Sequence, residues 1–183
     1  MVAEFLFHNI IKVKVFIKIK YFLLYPLLLA ACFNAWSDET KNITEILSNT
    51  KVIITDGDTI KFNNKKIRLH GIDTPEIKQL CKNKNGEDYK CGVKAKLALI
   101  NLISSHQVKC SVHGKDRYKR LIATCFVKNI NINEWLVKEG LALAYRRYSK
   151  DYIDEELFAK SNNLGLWRGD FLEPWKWRKL KKK

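Results

Sequence analysis

The sequence predicts an α+β domain with a five-stranded sheet and about three helices. Three observations predict it. Apolar and polar residues alternate with period two between Val52 and Gly71 and in two later runs. A stretch with helical spacing of apolar residues separates those groups, and the first 37 residues have the make-up of a targeting segment, which removes them from the fold. The 183 residues, 46% of them hydrophobic, suffice for one core, because a domain of about 150 residues buries roughly 68–70% of its unfolded surface.

Val52-Ile53-Ile54 reads as the first strand and runs into the turn Asp56-Gly57. Ile60 and Phe62 alternate with polar residues as the second. Asn63-Asn64 supplies a hairpin turn, and Ile67, Leu69 and Gly71 resume the alternation as the third. Val93, Leu97 and Ile100 set an apolar face on a helix from Val93 to Ser104. Val108 to Val112 and Leu121 to Val127 are the last two strands. Asn133 to Glu139 is a helix stopped by Gly140, and Asp151 to Leu164 is another stopped by Gly165, since glycine accepts the left-handed backbone of a helix end. Five strands with a helix between the third and fourth follow the order of an OB-type barrel. The chain ends in Arg178-Lys179-Leu180-Lys181-Lys182-Lys183, a basic tail expected to be solvated.

Lys12, Lys14, Lys18 and Lys20 precede the apolar run Tyr21 to Cys32, which has the length of a signal-peptide core and falls short of the ~20 residues of a spanning helix. Two processing signals compete. Ala35-Trp36-Ser37 offers small residues where a signal peptidase reads, and Leu29-Ala30-Ala31-Cys32 has the form of a lipobox that would lipidate Cys32. An uncleaved anchor is the third reading. Residues 1–37 are therefore expected to be a signal peptide or N-terminal membrane anchor, and residues 38–183 the working domain with its basic tail. The protein is expected to be exported, periplasmic or secreted, with a membrane tether through the N-terminus or Cys32 as an alternative, and to be a monomer.

The formal charge is +15, from 34 Lys and Arg against 19 Asp and Glu. Residues 1–37 hold four of the lysines and one of the acids, so +12 stays with the remaining 146 residues. Such a surplus favours a polyanionic partner, either nucleic acid or an anionic membrane surface. The domain holds an even set of cysteines, Cys81, Cys91, Cys110 and Cys125, which fits two disulfides in an oxidising compartment. Of the three pairings, Cys110 with Cys125 and Cys81 with Cys91 is selected, because Cys110 and Cys125 lie on two strand-like runs flanking a turn-rich segment. The absence of C-x-x-C and of a histidine pair at ligand spacing makes a structural zinc site the weaker alternative.

Three short segments carry chemistry. Asp56-Gly57-Asp58-Thr59 is a tight turn that projects a carboxylate from the start of a strand, where oxygen ligands suit a hard cation. It is also an ordinary hairpin signal. Arg68-Leu69-His70-Gly71-Ile72-Asp73-Thr74-Pro75-Glu76 puts an arginine on a strand and two carboxylates just past its end. Its bland alternative is a helix-capping box in which Asp73 and Glu76 only satisfy backbone N–H groups. Asp116-Arg117-Tyr118-Lys119-Arg120 is a basic turn between the last two strands.

In this order the segments resemble the staphylococcal nuclease, or thermonuclease-like, family. The resemblance runs through Asp-Gly-Asp-Thr, Arg-Leu-x-Gly-Ile-Asp-Thr-Pro-Glu and Asp-x-Tyr-x-Arg to Gly140-Leu141-Ala142-x-Ala144-Tyr145, Gly165-Leu166-Trp167 and Pro174-Trp175-x-Trp177-Arg178, covering about Val52 to Arg178. It implies an OB-fold endonuclease, a hydrolase of phosphodiesters in DNA or RNA that uses Ca²⁺, with Mg²⁺ a further candidate, and leaves 3′-phosphates. Carried onto this sequence, it implies that Asp58, Asp73 and the backbone carbonyl of Thr74 hold the metal. Glu76 would face the attacking water, and Arg68 and Arg120 would grip the scissile phosphate. Tyr118 and Tyr145 would lie near the nucleotide, where ordinary packing is the competing reading. Lys119 departs from the family's usual glycine, which implies strain if that position needs positive φ. Lys82 to Lys90, framed by Cys81 and Cys91, reads as an insertion that could form a lip over the groove. His70, His106 and His113 stand in no His-Asn-His or His-Lys-Asp arrangement, which argues against histidine-based nucleases. The alternative from another class is a catalytically inactive OB-fold module of the cell envelope that binds nucleic acid.

Overall fold

The computed structural model describes residues 44–182; residues 1–43 and Lys183, and with them the leader and its processing signals, lie outside the described residues. The described part begins with β1 (Thr44–Leu47) and β2 (Ile53–Ile54), then the hairpin of β3 (Thr59–Phe62) and β4 (Lys65–Leu69), and the short β5 (Ile72–Asp73). A small hairpin, β6 (Leu80–Lys82) and β7 (Asp88–Lys90), leads into α1 (Cys91–Ile103). Two long strands follow, β8 (Val108–Lys115) and β9 (Leu121–Val127), then β10 (Ile130–Asn131), α2 (Ile132–Lys138), β11 (Leu143–Ala144), α3 (Ile153–Ser161), a 3₁₀ turn (Gly165–Arg168) and α4 (Pro174–Leu180).

The main sheet runs β1-β8-β9-β4-β3-β2, with β4 and β9 parallel and the other neighbours antiparallel. Its two outer strands are segments of one stretch of chain. Laid flat, β1 and β2 would stand five strand spacings apart, about 24 Å. The chain from Leu47 to Ile53 reaches at most about 21 Å. The sheet therefore curls, and the chain itself joins its edges, which gives the OB-like barrel expected from the strand order. Asn63 at the β3–β4 turn ties this seam: its side chain donates to the Leu47 carbonyl at 2.8 Å and accepts from the Asn49 N–H at 3.2 Å.

The expected strands correspond to β2, β3, β4, β8 and β9, while β1 was not anticipated. Among the described residues there are four α-helices and a 3₁₀ turn where about three helices were expected, because Pro174–Leu180, whose end overlaps the basic tail Arg178–Lys183 expected to be solvated, folds as α4 with Pro174 in its first turn. The helix after the third strand is present, but its inner face is Ala95, Leu99 and Ile103. Leu97 and Ile100, assigned inward from the sequence, are exposed. The spacing i, i+4, i+8 of the buried set is as helical as the one proposed, and small Ala95 lets the helix approach the barrel.

Inward residues of the strands, among them Ile60, Ile67, Leu69, Val108, Ala123 and Cys125, form one core with Leu99, Ile132 and Leu136 of the helices. Disulfides join Cys81–Cys91 and Cys110–Cys125, the pairing read from the sequence; Cys110 and Cys125 are direct cross-strand partners on β8 and β9. Buried Asn133 fastens the sheet to α2, donating to the carbonyls of His70 and Ala123 and accepting the Cys125 N–H. Among the described residues no helix is long and apolar enough to cross a membrane.

Candidate active site

Asp58 is delivered by the turn before β3. The Asp58 N–H donates to Asp56 Oδ1 at 3.1 Å, and its carbonyl accepts the Leu69 N–H at 2.8 Å, so the turn is fixed to β4. Gly57 is required here. A Cβ at that position would lie 2.7 Å from the Thr74 hydroxyl oxygen, the group that together with the Thr74 N–H (3.0 Å) donates to Asp58 Oδ2. Asp73 ends β5, which is held by β11 through the pair Leu143↔Asp73. No helix follows Asp73–Glu76, so the capping-box reading fails. The Glu76 N–H donates instead to the Gln79 side chain, whose amide in turn donates to the Leu172 carbonyl at 2.6 Å.

Arg68, on β4, joins the two aspartates. Its guanidinium hydrogen-bonds Asp58 Oδ1 through Nη1 and Asp73 Oδ1 through Nη2 at 2.8 Å, and it also reaches the Ile72 carbonyl. Asp58 and Asp73 are both buried. Burial alone would weaken the Arg68 proton, but facing Asp58 and Asp73 outweighs it and holds the guanidinium more firmly protonated than usual. Burial and then the Asp58 charge push the Asp56 carboxyl up to about 6.

Arg120 lies at the same end of the barrel. Its Nε donates to Asp116 Oδ2 at 2.8 Å, and its Nη1 lies 3.4 Å from the Thr59 hydroxyl, which donates to Asp58 Oδ1 at 3.2 Å. A short chain of hydrogen bonds thus connects Arg120 to Asp58. The Asp116–Arg120 turn keeps its form with Lys119 at φ 63°, because Asp116 Oδ1 accepts the N–H groups of both Tyr118 and Arg120. Tyr118 is exposed beside it. Tyr145 is packed: one face stacks on Trp175 at 5.4 Å, and its edge meets Tyr148. The Lys82–Lys90 stretch forms no lip over the groove beside Arg120; its hairpin packs on the Gly169–Asp170 turn, with the Lys82 N–H donating to the Asp170 carbonyl at 2.7 Å.

One member of the cluster was missed in the sequence. Arg178, on α4, donates to Asp73 Oδ2 at 2.7 Å, Asp73 Oδ1 at 3.1 Å and Glu76 Oε1 at 2.8 Å. Arg178 closes the motif Pro174-Trp175-x-Trp177-Arg178, but the lysines that follow it make it read as the start of a solvated tail. Trp175 and Arg178, three apart on α4, set the helix on Tyr145 and on the acids at once. The segment just before α4 is anchored by buried Gln79, whose amide bonds the Leu172 carbonyl and which no sequence motif marks.

The donor set is two buried carboxylates, a third acid with its side chain 37% exposed, and nearby backbone oxygens. Among the described residues no three His, Cys, Asp or Glu side chains converge closely enough to hold a metal by themselves. Oxygen ligands from two carboxylates, a carbonyl and water nevertheless fit a hard cation such as Ca²⁺, with Asp73 Oδ2 keeping one lone pair beside its single Arg178 donor.

A family model described as staphylococcal nuclease homologue matches residues 66–169, more than half of the chain. The chain belongs to the staphylococcal nuclease family. An uncharacterized endonuclease of Haemophilus influenzae is 36% identical over 139 residues, which cover 72% of each chain. The micrococcal nuclease of Shigella flexneri is 31% identical over 166 residues, covering 81% of this chain and 85% of that one. The succinoglycan biosynthesis protein ExoI of Rhizobium meliloti is 36% identical over 118 residues, and there this chain spans 62% of the relative's length. The stretch matched by the family model includes Arg68, Asp73, Thr74, Glu76 and Arg120, while Asp58 precedes it and Arg178 follows it.

Proposed function

We propose that this protein is an exported, metal-dependent endonuclease that hydrolyses phosphodiesters in DNA or RNA, with Ca²⁺ as the expected cation and Mg²⁺ as a second candidate. The observation that carries the reading is the Arg68 fork, which holds Asp58, from the turn before β3, and Asp73, from β5, on one guanidinium at the barrel end where Arg120 also lies. Buried carboxylates gathered with arginines in this way suit a site for a cation and a phosphate together.

Asp58, Asp73 and the Thr74 carbonyl would hold the cation. When bound, it supplies positive charge to the phosphoryl oxygens and makes water a better nucleophile. Arg68 and Arg120 carry planar guanidinium groups whose donors would match phosphate oxygens and that stay protonated at any working pH, although in the metal-free protein Arg68 spends its fork on Asp58 and Asp73 and Arg120 is paired with Asp116. Glu76, the only one of the three acids with an open side chain, orients the attacking water and accepts its proton. Tyr118 offers an exposed ring to a base. Two disulfides support a home in an oxidising compartment.

The test incubates the protein with single- and double-stranded DNA and RNA in Ca²⁺, Mg²⁺ or EDTA and identifies the product ends. Cleavage that needs the cation, leaves 3′-phosphates and disappears in Asp58→Ala and Arg68→Ala is the expected result. Activity that persists in EDTA or in those variants overturns the mechanism. Tight binding without cleavage in any cation supports the inactive envelope module.

A further inference from the structure

A groove of about 840 Å³ opens on the barrel wall beside Arg120. Six cationic residues line it, Lys61, Lys65, Lys66, Lys115, Lys119 and Arg120, and no acidic residue does. Among the described residues none of the five lysines forms an ion pair.

The strand register makes this an ordered row. Lys61 on β3 stands directly opposite Lys66 on β4, and the next pair on the same face is Thr59 opposite Arg68, about 7 Å further along. Continuing the parallel register of β4 and β9 one residue beyond Ile67↔Leu121 puts Arg120 beside Lys66. The lysine pair therefore leads straight to the two arginines of the site. Like charges directly opposite each other weaken a sheet unless something negative lies between them. The Asp116–Arg120 turn adds a second sign. Lys119 holds a left-handed backbone that glycine would adopt without strain, and in exchange it lines the groove with a further cation.

We infer that this groove is a track for the sugar-phosphate backbone of a single nucleic-acid strand, on one side of the scissile phosphate and beyond the clamp of Arg68 and Arg120. It reads phosphates by charge and leaves base sequence unread, with the exposed ring of Tyr118 at its rim available to one base. The inference rests on the nuclease reading of the acid and arginine cluster.

The test uses the full chain and two variants, the double substitution Lys61→Gln with Lys66→Gln, and Lys119→Gly. Binding of a long fluorescent single-stranded oligonucleotide is followed by anisotropy in EDTA across a salt series, and cleavage of the same strand is compared with cleavage of a dinucleotide in Ca²⁺. The double variant is expected to bind the long strand about tenfold more weakly, with a logarithmic salt slope shallower by about 1.4, or ~0.7 for each lost contact. Its cleavage of the dinucleotide is unchanged. Lys119→Gly is expected to bind more weakly while melting at the same temperature or higher, which separates lost charge from a damaged fold. Wild-type affinity and slope in both variants overturn the track, as does an equal loss on the long strand and the dinucleotide. Loss of binding to anionic vesicles with strand binding intact assigns the groove to lipid and overturns it too. A protein that cleaves nothing, yet binds strands through these lysines, refutes the nuclease reading and leaves the track standing.

Discussion

Arg178→Ala removes the guanidinium that α4 places among the acids. Asp73 is fully buried and Arg178 is one-third exposed, while Glu76 is more open. An exposed ion pair is worth about 0–1 kcal/mol, whereas breaking a fully buried one costs about 3–5 kcal/mol. Two hydrogen bonds to buried Asp73, at 2.7 and 3.1 Å, and one to the open Glu76 place this case between those limits, at about 2–3 kcal/mol in metal-free protein. At about 3 °C per kcal/mol, the melting temperature in EDTA falls by roughly 6–9 °C. Calcium acts in the opposite direction. If a bound cation displaces about half of the Arg178 contacts, the variant binds Ca²⁺ about tenfold tighter, or about 1.4 kcal/mol. Its melting temperature then rises more on Ca²⁺ addition than that of the wild type. Melting in EDTA and in graded Ca²⁺, with calorimetric titration, reads both effects. An unchanged melting temperature in EDTA, or equal Ca²⁺ affinity in the two proteins, refutes the reasoning that Arg178 and the cation compete for Asp73.

Gly92→Ala puts a Cβ 2.1 Å from the Glu76 carbonyl oxygen at the start of α1. Despite a helix-propensity gain of about 1 kcal/mol, the net expectation is a loss of about 2–3 kcal/mol with reduced cleavage, and a more stable variant on denaturant titration contradicts it. Asp56 titrates at about 6 in the folded protein, above its ordinary value of 3.8. The native state therefore binds the proton more tightly, and stability falls as pH rises through that window, by at most about 3 kcal/mol. Asp56→Asn keeps the acceptor for the Asp58 N–H, so in EDTA it should stabilise the protein above about pH 6 and lose that gain below about pH 4, a profile that pH-dependent unfolding would expose. Replacing Cys110 and Cys125 together by alanine opens a link spanning 15 residues and should cost about 3 kcal/mol, measured by chemical unfolding against the intact protein.

The strands that the sequence revealed are those whose alternation is enforced by a one-sided core, β3, β4 and β9 above all. The closing strand β1 was invisible for a related reason. Thr44–Leu47 is mostly exposed, and only its pairing with β8 makes it a strand. Helix α1 was legible but its orientation was not, because apolar residues lie on two of its faces and the barrel's curvature selects Ala95, Leu99 and Ile103.

The site divides along the same line. Asp58, Asp73 and Arg68 lie within 16 residues of one another, and the turn and hairpin that bring them together are written locally in Gly57, Thr59 and the β3–β4 register. Arg178 meets Asp73 across 105 residues. Nothing in a run of lysines and tryptophans at the chain's end announces that contact. What fixes it is a set of long-range packings, Gln79 on the Leu172 carbonyl and Trp175 on Tyr145, each of which exists only once the barrel has formed. The basic residues near Arg120 show the intermediate case. Their number was plain from the composition, but only the register of β3, β4 and β9 separates the lysines that share a groove with the clamp from those spread over the remaining surface. A charge count therefore announces a polyanion, and the strand pairing says where it would lie.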